Sequence, residues 1–201
     1  MTQPNSGYDS TLILASTSRY RRALLERLGL PFETIKPGVD ETRFPDEPPQ
    51  AMVCRLAREK AQAVARERPD AWVIGSDQCA VLGKAVLGKP GTHERAVEQL
   101  SAASDQSVVF HTGLCLINLS KDFEQCVEVP FTVHFRALTP REIQHYLERE
   151  QPYDCAGSFK SEGLGVTLFS AMEGGDPSAL IGLPLIALCG MLRDAGIDPL
   201  A

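Results

Sequence analysis

A mixed α/β fold, a twisted sheet flanked by helices, is the architecture the sequence predicts, and three observations predict it. Leu12-Ile-Leu-Ala15 is a short apolar run, then come the hydroxyls of Ser16, Thr17 and Ser18, then an apolar period of helical spacing: a strand–cap–helix unit. Ala71-Trp-Val-Ile-Gly75 is a second compact apolar strand behind a long helical stretch. Ser107 to Leu119 and Val127 to Leu138 read as two long strands joined by a polar turn at Ser120–Gln125. Such a pair is antiparallel, so the sheet mixes directions.

Taken in order, residues 1–10 read as a loose polar tail and residues 11–201 as one domain. In the first helix Tyr20, Leu24 and Leu28 share a face, and Gly29 and Pro31 stop it. Arg19, Arg21 and Arg22 crowd its first turn, where the helix dipole is already positive. Each exposed cation there costs roughly 0.3–1 kcal/mol. Hydroxyls, free N–H groups and guanidinium groups together suit a polyanion such as a phosphate chain, against the plainer reading of a solvated basic turn.

Phe32 to Val39 is expected as a strand, delivering Asp40 and Glu41 to its end. Phe44-Pro-Asp-Glu-Pro-Pro49 is a loop, its Asp46 and Glu47 solvated. Gln50 to Arg68 forms a helix with Val53, Ala57, Lys60 and Val64 on one stripe. Lys60 on that apolar face either snorkels to water or reaches an anion at the end of the sheet.

The strand ending at Gly75 runs into Ser76-Asp77-Gln78 before resuming as Cys79–Leu82. Asp77 sits between apolar runs, where an ionised carboxylate needs a partner, a metal or catalytic work to justify its place; the bland alternative is an Asx-turn. A hairpin turns near Gly83-Lys84. Gly88 admits close backbone approach, and Lys89 could meet a phosphate.

Thr92 caps a helix to about Ala103, and Thr139-Pro-Arg-Glu142 is a capping-box helix start. Tyr153 to Gly165 is polar and glycine-rich, able to fold over a ligand with Lys160 and Glu162. Val166 to Ser170 is expected as a strand, Glu173 to Asp176 as a turn, and Pro184 to Asp194 as the closing helix.

Composition removes several classes. The net charge is −6, so a broad nucleic-acid surface is not expected and the arginine cluster is a local exception. No apolar run approaches the roughly 20 residues of a membrane span. The six cysteines, Cys54, Cys79, Cys115, Cys126, Cys155 and Cys189, include no C-x-x-C pair, and the four histidines form no H-E-x-x-H. A reduced, cytoplasmic protein without structural zinc is expected.

Ser16-Thr-Ser-Arg-Tyr-Arg-Arg22, Val39-Asp-Glu41, Arg58-Glu-Lys60, Gly75-Ser-Asp77 and Gly88-Lys-Pro90, in this order, resemble the Maf family. The resemblance covers Leu12 to the C-terminus. It implies a fold related to that of inosine triphosphatases, with a cleft between two lobes, and nucleoside triphosphate pyrophosphatase activity. Gly75-Ser-Asp-Gln78, Cys155-Ala-Gly-Ser-Phe-Lys-Ser-Glu-Gly163 and Gly182-Leu-Pro-Leu-Ile-Ala-Leu188 look like the branch acting on 7-methyl-GTP. The dTTP/UTP branch has Asp-Thr where this chain has Asp77-Gln78.

By that resemblance Asp77 is the catalytic carboxylate, acting with Lys60 and Lys89, and Ser16, Arg21 and Arg22 bind phosphate. Tyr20, Gln78 and Glu162 set base specificity; position 20 is associated with tryptophan, and tyrosine keeps the aromatic face. Asp77 and Glu41 would hold Mg²⁺ or Mn²⁺. Asp77 either takes a proton from water or holds the metal that activates it. The expected partner is a modified nucleoside triphosphate, with no nucleic-acid polymer and no membrane; a homodimer is compatible. The alternatives are a dTTP/UTP pyrophosphatase, or a non-catalytic nucleotide-binding regulator of cell division, since Maf proteins have been linked to septum formation.

Overall fold

Strand β1 (Leu12–Leu14) is buried at all three positions, and helix α1 (Arg19–Glu26) follows it after the hydroxyl turn. The computed structural model describes residues 11–201, so the expected tail over residues 1–10 lies outside them. Six further strands are β2 (Phe32–Thr34), β3 (Trp72–Leu82), β4 (Ala85–Leu87), β5 (Ser107–Asn118), β6 (Phe123–Phe135) and β7 (Phe169–Glu173). They join β1 in one open sheet of order β2-β1-β3-β5-β6-β7, with β4 paired to β3. β1 runs parallel to β2 and β3, and every other pairing is antiparallel, as the mixed sheet requires.

Helix α2 (Pro49–Glu67) lies on one face, against Ile13, Val73, Cys115 and Ile117. The alternate residues of the same strands face the other way. There Leu12, Leu14, Trp72 and Ile74 meet α1 and α6 (Leu185–Asp194). Further along that face Ala80, Phe110 and Val133 meet α3 (His93–Ala103) and α4 (Pro140–Glu150). The predicted caps hold: Thr92 accepts from Arg95 N, and Thr139 with Glu142 forms the reciprocal box.

Two glycines set how closely α2 approaches the sheet. A side chain at Gly75 would run into the carbonyl of Ala57, and one at Gly113 into the carbonyl of Val53. The helix backbone therefore rests almost on the strands, which carries Lys60 down to Asp77.

The structure corrects several expectations. β2 stops at Thr34, because Pro37 and Gly38 give up the ladder well before Val39. β3 is one continuous strand, since Ser76, Asp77 and Gln78 all pair with β5, so Asp77 is mid-strand and makes no Asx-turn. β6 begins at Phe123, inside the expected turn. Leu164–Leu168 is a 3-10 turn, and the last strand starts only at Phe169. A short helix α5 (Pro177–Ile181) was not expected; buried Asp176 caps it and also accepts from Ile186 N, tying it to α6. Finally, Cys115 and Cys126 form a disulfide, correcting the expectation of a fully reduced chain. They lie directly opposite on β5 and β6, Cα atoms 4.2 Å apart, a juxtaposition created by strand register. The other four cysteines are free.

Candidate active site

The site opens where β3 lacks a neighbour. β1 pairs with residues 72–74 of β3 and β4 with residues 80–82, so one edge of the strand is bare between them. A cleft of about 780 Å³ occupies this gap, bounded by the start of α1, the β4–α3 loop and residues 154–162. Its walls carry six lysine and arginine side chains and four carboxylates, a locally basic lining on an acidic protein.

At its floor, α2 delivers Lys60 and β3 delivers Asp77, both buried. Lys60 Nζ donates to Asp77 Oδ1 at 2.6 Å and lies 2.7 Å from Glu41 Oε1. One ammonium thus holds two carboxylates. Snorkelling is ruled out here, because the amine ends inside the protein with its charge matched. Burial works to raise the Glu41 carboxyl, but the hydrogen bond and charge of Lys60, with Arg21 and Lys89 nearby, outweigh it and leave the pKa below the ordinary value.

The start of α1 forms the second wall. Ser16 Oγ accepts from Ser18 N, and Ser18 Oγ caps the helix by accepting from Arg21 N. The N–H groups of Arg19 and Tyr20 have no acceptor among the described residues and remain for an anion. Arg21 donates through Nε to the carbonyl of Gly182, which also accepts from Ser76 Oγ. Burial lowers the Arg21 pKa, while the charges of Asp77 and Glu41 act to raise it. Lys89 also lines the cleft and is exposed.

Tyr20, Gln78 and Glu162 also line the cleft. Tyr20 is half-buried and lines the cleft, with the Arg19 guanidinium 4.8 Å from its ring centroid. Its hydroxyl accepts from Arg19 at 2.8 Å and from Cys155 Sγ at 3.7 Å. Burial pushes the Tyr20 phenol up to about 12, against the Arg19 hydrogen bond that lowers it. Gln78 Nε2 donates to Thr112 Oγ1 and to the carbonyls of Ala179 and Leu180 on α5. That fixes the amide orientation and leaves Oε1 as its unspent atom. Glu162 lines the cleft, exposed, and accepts from Ser161 Oγ.

Ser16, Tyr20, Arg21, Glu41, Lys60, Asp77, Gln78, Lys89 and Glu162 therefore share one cleft. Arg22 does not line it: it is exposed and pairs with Glu26 one turn on, at 3.0 Å. Sequence reasoning missed α5, whose carbonyls orient Gln78; the signal was Asp176-Pro177, a cap followed by a proline at the first helical position. It also missed Asp154, which lines the cleft and pairs with Arg19. A separate group of metal-spaced donors, Cys115, Glu124 and Cys126, has both sulfurs spent in the disulfide.

The fold is thus an open α/β sheet with a basic cleft at a bare strand edge, where two carboxylates gather on a buried lysine. The Maf-like protein family model matches residues 11–195, and the chain belongs to the Maf family. It is similar to proteins named 7-methyl-GTP pyrophosphatase. That of Nitrosococcus oceani is 58% identical over 186 residues, 92% of this chain and 94% of the relative. That of Colwellia psychrerythraea is 55% identical over 191 residues, covering 95% and 96%. That of Alkalilimnicola ehrlichii is 60% identical over 185 residues, covering 92% and 93%.

Proposed function

We propose that this chain is a nucleoside triphosphate pyrophosphatase that hydrolyses 7-methyl-GTP to 7-methyl-GMP and pyrophosphate. The observation that carries the reading is the Asp77–Lys60–Glu41 cluster opening into a basic cleft that also holds Tyr20, Gln78 and Glu162. Relatives bearing that activity in their names, similar along nearly their whole length, support it.

The chemistry follows from the donors. A triphosphate carries charge that Arg21, Lys89, the Ser16 hydroxyl and the free N–H groups of α1 are placed to bind. Asp77 Oδ1 is tied to Lys60, so Oδ2 is the atom left either to accept a proton from the attacking water or to hold a divalent cation. The water oxygen bonds to the α-phosphorus, the bond from that phosphorus to the α,β-bridging oxygen breaks, and pyrophosphate leaves with that oxygen. Lys60 keeps the two carboxylates together despite their repulsion. Asp77 and Glu41 each keep one hard carboxylate oxygen that Lys60 does not take, so they are the residues that would hold Mg²⁺ or Mn²⁺. Such an ion, when bound, supplies neutralisation of phosphate charge.

Base choice rests on Tyr20, Gln78 and Glu162. Methylation at N7 leaves the guanine ring cationic, which suits the face of Tyr20 and the carboxylate of Glu162. The Gln78 amide offers only its oxygen, an acceptor for guanine N–H groups. The proposal includes free nucleotide as substrate and a cytoplasmic setting. Among the described residues no helix is long and apolar enough to cross a membrane.

The test is pyrophosphate release from 7-methyl-GTP, GTP, dTTP, UTP and ITP with Mg²⁺ and with Mn²⁺. Preference for 7-methyl-GTP is expected, with turnover falling at least about 10²-fold in Asp77→Asn while nucleotide still binds. Preference for dTTP or UTP would overturn the base assignment, and binding without release would favour a regulator.

A further inference from the structure

Gln99 on α3 is outside every motif considered so far, yet its side chain joins two walls of the cleft. Its Oε1 accepts from Ser158 Oγ at 2.6 Å, and its Nε2 donates to the carbonyl of Gly88 at 3.1 Å. Gly88 directly precedes Lys89. Ser158 lies in the 3-10 turn Ala156–Ser158, within the segment that carries Cys155 and Glu162. The backbone bond from Gly91 N to Tyr153 O, at 3.0 Å, is a second tie between the same two loops.

The Ser158 conformation argues that the link is specific. Gly157 has φ of 74° and Ser158 of 64°, two consecutive left-handed residues. Glycine serves that backbone best, and a residue with a β-carbon is strained there. Ser158 is fully buried, so its hydroxyl needs a partner, and Gln99 Oε1 is the one acceptor it has among the described residues. The amide is used with opposite polarity at its two ends. Glutamate would keep the Ser158 bond but set a carboxylate oxygen against the Gly88 carbonyl; leucine would lose both.

The geometry points to Gln99 as a positioning residue that couples the phosphate lysine, Lys89, to the wall carrying Cys155 and Glu162. This deepens the proposed pyrophosphatase reading and rests on it. Through Gln99, the wall that meets the base sets where the Gly88–Lys89 backbone stands, so a well-seated base improves the grip on the phosphates. The coupling acts on the reaction through Lys89 and involves no contact between Gln99 and substrate.

The experiment is a pair of double-mutant cycles in the full chain. Turnover of 7-methyl-GTP and GTP is measured for wild type, Gln99→Glu, Lys89→Ala and the double variant, and separately for Gln99→Leu, Ser158→Gly and their double variant. Ser158→Gly removes the hydroxyl while relieving the backbone, so it keeps the test valid if the leucine variant fails to fold. Gln99→Glu is expected to lower kcat/KM for 7-methyl-GTP about tenfold or more, as misplacement of a binding group does. It should narrow the preference over GTP and have little further effect once Lys89 is alanine. The Gln99→Leu and Ser158→Gly losses should likewise fail to add. Additive losses in both cycles, or folded variants with wild-type kinetics and preference, would overturn the coupling. The same cycles are read by equilibrium binding of 7-methyl-GTP in EDTA, without turnover. If the wild type binds but never releases pyrophosphate, the pyrophosphatase reading fails while binding still decides the Gln99–Lys89 link. A wild type that neither binds nor hydrolyses overturns both.

Discussion

The floor and the mouth of the cleft are both built from a cation among acidic and polar groups, but they are built differently. At the floor, Lys60 and Asp77 have side chains only 5% and 12% exposed and meet at 2.6 Å. They are delivered by a 19-residue helix and an 11-residue strand that glycines allow to touch. At the mouth, Arg19 and Asp154 are 71% and 54% exposed, meet at 3.4 Å, and stand on a helix start and a loop. Solvent screening leaves such a pair worth little, whereas a buried pair is costly to break. In the proposed reaction the buried pair faces the phosphates and the exposed pair flanks the base.

The largest disruption should come from the contact that makes the floor. Gly113→Val places a branched side chain against the Val53 carbonyl and the Cys54 amide, backbone atoms that cannot swing aside. Prising α2 from the sheet should cost about 3 kcal/mol or more, read by denaturant midpoint, with loss of activity. Survival of activity with unchanged stability would break the claim that α2 sets the Lys60–Asp77 distance. Lys60→Met comes next. It keeps the apolar stem but leaves Asp77 and Glu41 facing one another without the ammonium, at about 3 kcal/mol for an uncompensated buried charge. Turnover should fall by at least about 10²-fold, and raising Mg²⁺ or Mn²⁺ should recover stability by binding the two carboxylates that have lost the ammonium. Stability insensitive to metal would argue against Asp77 and Glu41 as its ligands.

A smaller effect should appear in acid. The Glu41 carboxyl is held below its ordinary value of 4.5, since Lys60 outweighs the opposing effect of burial. A depressed carboxyl stabilises the fold above its unfolded pKa, and that contribution is lost as pH falls through the folded value. Thermal unfolding followed downward from pH 5 should therefore lose part of its acid slope in Glu41→Gln, while the variant is already less stable at pH 7. The gain is modest because Glu41 is largely exposed. Identical slopes in the two proteins would detach Glu41 from the floor.

The same contrast explains what the sequence could tell. Lys60 was conspicuous because a lysine on an apolar helical stripe demands a partner, and Asp77 because a carboxylate lies between apolar runs. The partner itself was illegible, since it depends on how closely α2 approaches, and that is decided by Gly75 and Gly113 on two different strands. Polar Ser76-Asp77-Gln78 looked like a break in β3 because the pattern cannot reveal a bare strand edge facing a cleft. The Cys115–Cys126 bond needs strand register, which no cysteine spacing encodes. Arg22 looked equivalent to Arg21 in the first turn; helix phase turns one toward Gly182 and the other toward Glu26. The α3 and α4 caps were legible because a cap is a local arrangement of a few residues.

The smallest expected effect tests the mouth. Arg19→Ala removes an exposed ion pair and should cost less than about 1 kcal/mol, a change near the limit of detection in thermal unfolding. Binding should respond more clearly. Arg19 rests 4.8 Å from the Tyr20 ring centroid, on an aromatic group that a cationic base would also seek. Its removal frees that face and also withdraws the hydrogen bond that lowers the Tyr20 phenol, so the phenol should titrate still further above its ordinary value of 10. A KM for 7-methyl-GTP that falls while kcat holds would mean that the arginine and the base compete for the ring. A KM that rises would mean that Arg19 grips the nucleotide itself, and the mouth would then resemble the floor in function while differing from it in rigidity.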